Sequence, residues 1–104
     1  MKPARRNQPA ADEATDLELA SMCKALAHPA RVHILRRLLG TQGCFTGDLV
    51  DELGLAQSTV SQHVKTLREA GLIIGTTDGP RTCLCVPPAR LVRLVELLAQ
   101  LHRR

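Results

Sequence analysis

The stretch GDLVDELGLAQSTVSQHVKTLREAGLI, residues 47–73, decides the fold. It contains two helical patterns that are separated by only a few residues. In the second pattern Val60, Val64 and Leu67 fall on one helical face, which is therefore the face expected to be buried. Gly71 is placed to end this second helix. Two helices joined this closely predict a helix-turn-helix.

The opposite face of the second helix carries small polar side chains, which can approach the edges of DNA bases closely. Gln62 has the donor and the acceptor for a bidentate contact to adenine, and Lys65 can reach guanine or a phosphate. Backbone N–H groups at the start of the helix favour a phosphate. Such a helix fits a major groove, although an ordinary solvated polar face is the alternative. The predicted DNA contacts on this helix are Gln57, Ser58, Thr59, Ser61, Gln62, Lys65 and Thr66.

Start and stop signals divide the first half of the chain. Residues 1–15 are polar and aperiodic, and we expect them to form a flexible N-terminal tail. Asp16 is placed to cap a first helix, Pro29 to open a second helix and Gly40 to end it. Residues 16–104 are then expected to form one domain.

A short strand and a hairpin complete the pattern. The segment TQGCFT is expected to hold a brief strand, with Thr46 as the cap of the third helix and Ser58 as the cap of the fourth. Residues 72–86 contain the turn DGPR and read as a β-hairpin. A proline opens a last helix after it. The predicted fold class is therefore mainly α with a small β-wing, a winged helix-turn-helix.

The charge balance favours a polyanionic partner. The 104 residues include 14 Lys and Arg against 10 Asp and Glu, a net charge of +4, and basic residues outnumber acidic ones in the second half. Such a basic half fits double-stranded DNA, a solvated basic surface being the alternative. The sequence shows neither a nucleophile paired with a base nor paired carboxylates, the features that would suggest an enzyme.

No stretch of the sequence approaches the roughly 20 apolar residues that are needed to span a bilayer. No apolar run follows the basic residues near the N-terminus, so we expect a cytoplasmic protein with no membrane partner. Thiols stay mostly reduced in that compartment. The four cysteines therefore suggest metal binding or redox chemistry more than structural disulfides.

The last helix predicts a homodimer. Its apolar residues form a face that is too broad for one small domain to cover. Burial of the helix within its own domain is the alternative. The residues of this face are Leu91, Leu94, Val95, Leu98 and Leu101.

The segments KALAHPARVHILRRLL, QSTVSQHVKTLREAGLI and DGPR resemble the ArsR/SmtB family of bacterial winged-helix repressors. The resemblance covers roughly residues 16–101. It implies a recognition helix at 58–70, a β-wing at 72–86 and a homodimer formed through the first and last helices. It also implies a repressor that needs no cofactor to bind operator DNA and leaves the DNA when a metal, metalloid or thiol-modifying signal arrives.

Two further residues take roles from this resemblance. Arg81 would lie at the wing tip and contact a phosphate or the minor groove. His63 would lie at the edge of the recognition helix, where packing and hydrogen bonding are favoured over a base contact, although it is counted among the candidate DNA contacts.

Members of the family carry sensor sites at several places. One site is a Cys-x-Cys pair that opens the third helix, and Phe45, Thr46 and Gly47 stand there in this chain. Another site holds zinc on the last helix, where only Glu96 and His102 are available. Two such ligands are too few for tetrahedral zinc, so neither site is expected here.

The cysteines of the wing are the remaining candidates. In RTCLCV, residues 81–86, alternation places Cys83 and Cys85 on one face of a strand, away from the core if Leu84 points inward. In winged helices the strand before the third helix pairs with the second wing strand, which would bring Cys44 alongside.

Three converging sulfurs suit a thiophilic inducer such as trivalent arsenic, trivalent antimony or Hg(II). Two alternatives stay open. Cys44 and one wing cysteine could form a disulfide or polysulfide bridge in response to oxidants or sulfide. The cysteines could also be inert. Cys23 lies on the apolar stripe of the first helix, where burial is favoured over a role as a further ligand.

Overall fold

The structure is a computed structural model that describes residues 9–41, 44–78 and 81–103. In these segments the chain forms mainly helices and a small antiparallel sheet. The elements in chain order are α1 (Pro9–Ala25), α2 (Pro29–Leu39), β1 (Cys44–Asp48), α3 (Leu49–Leu53), α4 (Gln57–Glu69), β2 (Ile74–Asp78), β3 (Arg81–Cys85) and α5 (Pro88–His102).

The sheet has the strand order β1-β3-β2, with both pairs antiparallel. Cys44 lies opposite Cys85 on one side of β3, and Ile74 lies opposite Cys85 on the other side. The predicted pairing of the short strand with the second wing strand is therefore confirmed. It fixes the wing against the strand that leads into α3.

The core is almost entirely aliphatic, because Phe45 is the only aromatic residue of the chain. Side chains from the helices and from the sheet meet in one cluster, and Phe45 is buried at its edge. Burying such side chains contributes about 1.5–3 kcal/mol each before entropy is counted. The fully buried members are Met22, Ile34, Leu38, Leu49, Val64, Leu67, Leu72, Ile73, Leu84 and Leu97.

The first helix begins earlier than the sequence predicted. It starts at Pro9, so residues 9–15 are helical rather than part of a flexible tail, and Asp16 lies inside the helix instead of capping it. Proline suits the first turn of a helix, and the alanines and acidic residues that follow are compatible with one. Residues 1–8, the rest of the predicted tail, lie outside the described residues.

Two predicted caps are also wrong. Asp48, not Thr46, caps α3, because its Oδ1 accepts a 2.8 Å hydrogen bond from the backbone N–H of Asp51. At α4 the cap position is Ala56, which offers no side-chain acceptor, and Ser58 is already inside the helix. The last residue of β1 is thus the cap of α3, which joins the strand directly to the helix-turn-helix.

A three-residue ion-pair cluster joins the first and last helices. Glu18 of α1 pairs with Arg93 at 2.8 Å and with Arg90 at 3.4 Å, both on α5. The hydrogen bond from Arg93 is the main reason that the pKa of Glu18 is lowered. Helices α1 and α5 therefore behave as one packed pair.

No helix in the described ranges combines the length and the apolar character that crossing a bilayer requires.

Replacing Gly75 by alanine is expected to destabilise the wing. Gly75 has φ 123°, and an added Cβ would collide with the carbonyl oxygen of Cys83 on β3. We expect a loss of about 2 kcal/mol or more, measured by urea unfolding. Gly54→Ala is the matched control, since Gly54 also has positive φ but has open space around its Cβ position. Equal losses for the two variants would contradict the steric account.

Candidate DNA interface and cysteine site

Helix α4 divides into a buried face and an exposed polar face, as predicted. Val60, Val64 and Leu67 are buried against the core. Thr66 is half-buried, and its hydroxyl donates to the carbonyl oxygen of Gln62 at 3.1 Å. The exposed members of the predicted DNA face are Gln57, Ser58, Thr59, Ser61, Gln62 and Lys65.

His63 is the exception among the candidate DNA contacts, because it is buried, with 8% of its surface exposed. Its ring lies 4.5 Å from the ring of His28, and its Nδ1 lies 3.3 Å from the guanidinium of Arg31. Burial, followed by the nearby His28 and Arg31, lowers the pKa of His63. A direct DNA contact by His63 is therefore corrected to the packing role that the sequence favoured.

Arg31 of α2 links the end of α1 to α4. Its Nε donates to the carbonyl oxygen of Ala25 at the end of α1 at 2.7 Å, while its other end reaches His63 on α4. Because a guanidinium can only donate, Nδ1 of His63 must act as the acceptor and the ring must be neutral. The contact fixes the rotation of α4 relative to α2.

The cations near the polar face are available to a ligand. Lys65 and Arg68 on α4, and Arg81 at the start of β3, are exposed and form no ion pair with another described residue. By contrast, Arg37 of α2 contacts Glu52 at 2.7 Å and lies 4.8 Å above the ring of Phe45. Lys65, Arg68 and Arg81 are therefore free to contact a ligand on the predicted DNA side.

The sheet places three cysteines on its solvent-facing side. On β3 the alternate residues Thr82 and Leu84 are buried, which confirms the predicted direction of Cys83 and Cys85. Cys44 and Cys85 lie directly opposite each other and are joined by a disulfide. Cys83 lies opposite Thr46, is exposed and has a free thiol.

The predicted convergence of three sulfurs is thus only partly formed. Cys83 and Cys85 are two positions apart on β3, roughly 6.7 Å along a strand, whereas Cys44 is an immediate cross-strand neighbour of Cys85. No group of three His, Cys, Asp or Glu side chains within the described ranges is arranged to hold a metal ion. The structure brings two thiols together and leaves the third apart.

Cys23 is exposed with a free thiol, which corrects its expected burial on α1. Met22 and Ala25 occupy the inner face of that helix, so the neighbouring position turns outward. Because α1 packs on α5, Cys23 is not brought to the sheet.

An apolar hollow lies beside the disulfide, and the sequence did not predict it. It has a volume of about 560 Å³ and is lined by residues from four parts of the chain. No local sequence pattern therefore indicates it. We call it the apolar hollow. Its lining residues are Leu39, Cys44, Ile74, Cys85, Val86, Pro87 and Pro88.

The lowered pKa of His63 predicts a stability that falls in acid. In the unfolded chain this histidine takes up a proton near pH 6.5, whereas in the folded protein it does so only at lower pH. The unfolded state therefore binds more protons, and the free energy of unfolding falls as the pH drops from about 7.5 to about 5.5. Urea unfolding at these two pH values measures the change.

His63→Gln should reduce this pH dependence, because the amide can accept from Arg31 but takes up no proton. His33→Gln is the control, since His33 is an exposed residue of α2 and its loss should leave the dependence intact. A full pH dependence in the His63 variant would refute the assignment.

Comparison with known proteins agrees with this geometry. Residues 26–76 match a family described as a helix-turn-helix domain. The chain is 36% identical over 88 residues to the HTH-type transcriptional regulator CmtR of Mycobacterium tuberculosis, covering 85% of this chain and 74% of CmtR. It is 38% identical over 90 residues to the HTH-type transcriptional regulator YgaV of Escherichia coli, covering 86% of this chain and 91% of YgaV.

The fold is also similar to a crystal structure of an ArsR family transcriptional regulator. The TM-score is 0.71 with 22% identity, over 85% of this chain and 90% of that chain. These relatives are named as regulators of transcription, which agrees with the prediction that the chain is not an enzyme. The helix-turn-helix, the three-stranded wing sheet and these similarities together show that the chain belongs to the ArsR/SmtB family of DNA-binding transcriptional regulators.

Proposed function

We propose that the chain is a homodimeric repressor that binds operator DNA through α4 and the wing, and that leaves the DNA when thiols of the β1–β3 face react. The observation that carries the proposal is the exposed polar face of α4, along which Lys65 and Arg68 form no ion pair with any residue of the described segments. A helix with its apolar side fixed in the core and its polar side free suits the major groove.

The wing extends the same interface. Arg81 is exposed at the first residue of β3, close in sequence to the end of β2 at Asp78. From this position it would contact a phosphate or the minor groove, while Gln62 reads base edges. Phosphate contacts from Lys65 and Arg81 would make the affinity depend steeply on salt.

Exposed apolar side chains on the outer helices support the homodimer. On α5, Val95 is 64% exposed and Leu101 is 57% exposed, and on α1, Leu17 is 72% exposed. Such residues on a helix pair that Glu18 already ties together favour association with the same pair of a second chain. The remaining exposed apolar residues of α5 are Val92 and Leu98.

The first candidate inducer is a thiophilic ion, trivalent arsenic or antimony or Hg(II), bound by Cys44, Cys83 and Cys85. Hg(II) can take two thiolates, which the Cys44–Cys85 pair supplies once it is reduced. A three-thiolate ion would require Cys83 to be drawn toward Cys85 along β3. Cys23, exposed on α1, stays outside this set.

The second candidate signal is oxidation, and the disulfide between Cys44 and Cys85 is the observation that favours it. Two thiols form the disulfide and give two protons and two electrons to an oxidant such as hydrogen peroxide, which becomes two molecules of water. Direct cross-strand opposition makes this pair better placed for the bridge than Cys83 with Cys85.

Either reaction can act on DNA binding through the sheet. Cys44 opens β1, whose last residue Asp48 caps α3, and Phe45 lies beneath the Arg37–Glu52 pair that links α2 to α3. On the other strand, Cys85 is followed within three residues by the start of α5. A coupling of about 1–3 kcal/mol between the thiols and these helices changes operator affinity 5–150-fold.

Substitutions on α4 are expected to separate base reading from phosphate binding. Gln62→Ala should cost about 1–3 kcal/mol on an operator selected from random duplexes, with little effect on unrelated DNA. Lys65→Ala should weaken both and lower the slope of log affinity against log salt by about 1. Fluorescence anisotropy across a salt titration measures both quantities.

Arg103→Ala is the charge-matched control, because Arg103 is exposed at the far end of the chain from α4. Its affinity and salt slope should equal those of the unchanged protein. If Arg103→Ala lowers the slope of log affinity against log salt as much as Lys65→Ala does, Lys65 does not contact a phosphate.

Cysteine substitutions are expected to abolish induction without abolishing DNA binding. Replacing Cys44, Cys83 and Cys85 together by serine should leave operator affinity within about threefold, since all three thiols lie outside the α4 face. Arsenite and peroxide should then no longer release the DNA in a mobility-shift assay. Release of the triple variant by arsenite would show that the sensor site lies elsewhere.

The single variant Cys83→Ser distinguishes the two candidate signals. A three-thiolate ion loses its third ligand in this variant, whereas the Cys44–Cys85 disulfide still forms. Loss of arsenite release with retention of peroxide release supports ion binding by all three cysteines.

A further inference from the structure

We propose that the reduced Cys44–Cys85 pair and the apolar hollow together form a binding site for a monosubstituted trivalent arsenical, R–As(OH)₂, in which R is a compact apolar group. The regulatory meaning of this site rests on the proposed function, whereas the binding itself does not.

Two of the three cysteines of the sheet, not all three, are held directly against each other. Cys44 and Cys85 face each other across β1 and β3 closely enough to be joined by a disulfide. Trivalent arsenic forms three bonds. In a monosubstituted arsenical one of these is already a bond to carbon, so two thiolates complete the set, whereas inorganic arsenite on the same pair would keep a hydroxyl group unless a third sulfur replaced it.

The third sulfur, on the same side of the sheet, lines a different hollow. Cys83 lines a smaller hollow of about 210 Å³ with Thr76, Arg81 and Thr82, and it does not line the apolar hollow. Its immediate cross-strand neighbours are Thr46 and Thr76. The thiol pair and the single thiol thus face separate environments, one apolar and one polar.

The apolar hollow supplies room for the carbon substituent. Its volume of about 560 Å³ lies within the range of small-molecule sites, roughly 300–1,000 Å³. Both cysteines of the pair form part of its wall, beside Leu39, Ile74 and Val86. None of the residues that line it is charged, so it offers a contact to an apolar group and none to an oxyanion.

The binding reaction balances without an oxidant. First, two molecules of a low-molecular-weight thiol reduce the disulfide, giving two cysteine thiols and the disulfide of the reductant. Two S–H bonds and two As–OH bonds then break, two As–S bonds form and two waters leave. Arsenic stays trivalent and keeps its bond to carbon, which places R against the hollow.

The test uses the full chain, reduced and freed of reductant, with phenylarsine oxide, methylarsonous acid and arsenite as three separate probes. Native mass spectrometry should show one phenylarsenic group per chain, at a probe concentration at least about tenfold below that needed for arsenite. Cys44→Ser and Cys85→Ser should each lose this adduct, and Cys83→Ser should keep it. The protein with its disulfide intact should not react, a control that needs no substitution.

Ile74→Asn tests the hollow itself. Ile74 is 55% exposed, so the fold should tolerate the change. The phenyl adduct should require a severalfold higher probe concentration, while the methyl adduct, whose substituent is smaller, should change less. Equal shifts for the two probes would remove the hollow from the site.

Two outcomes overturn the inference. One is an arsenite adduct as strong as the phenyl adduct and lost in Cys83→Ser, which would mean a three-thiolate site and would leave the proposed function standing. The other is no phenyl adduct on the reduced chain. Failure of the reduced, probe-free chain to bind selected operator DNA would instead contradict the proposed function, whatever the mass spectra show.

Discussion

The antiparallel pairing of β1 with β3 is the constraint on which the rest of the structure depends. It places Phe45 opposite Leu84 on the core side and Cys44 opposite Cys85 on the solvent side. A slip of one residue would exchange these faces, exposing the apolar pair and burying the thiols. Since β1 ends at the cap of α3 and β3 leads to α5, one register sets the helix-turn-helix, the wing and the outer helix together.

A second contact determines which side of α4 reaches solvent. Arg31 binds the end of α1 and the buried ring of His63, so α4 cannot rotate without breaking a charge-assisted hydrogen bond. This contact and the burial of the apolar side of α4 together keep Gln62 and Lys65 outward. The solvent-facing cysteines of the sheet and the exposed face of α4 are therefore positioned by different contacts.

Much of this architecture follows from the sequence. Helical periodicity in 57–69 gave the buried and exposed faces of α4, and alternation in 81–86 gave the direction of Cys83 and Cys85. The turn at DGPR marked the hairpin. These features depend on local spacing of side chains, which is visible in the chain itself.

Features that depend on strand register, or on contacts between elements far apart in the chain, are harder to predict from the sequence. Nothing in the sequence decides whether Cys83 or Cys85 faces Cys44, because both choices keep the same faces. The apolar hollow needs Leu39, Ile74 and Pro88 to meet, and they come from three separate elements. The start of α1 at Pro9 was missed because the alanines there lack an apolar stripe, although they favour a helix.

The central claim is that the Cys44–Cys85 pair is coupled to α4, and hydrogen exchange of the DNA-free protein tests it most directly. Exchange would be compared between the form with the Cys44–Cys85 disulfide and the reduced form. We expect changed protection that extends from β1 through the amide of Asp51 into α4. A change confined to residues beside Cys44 and Cys85 would contradict it.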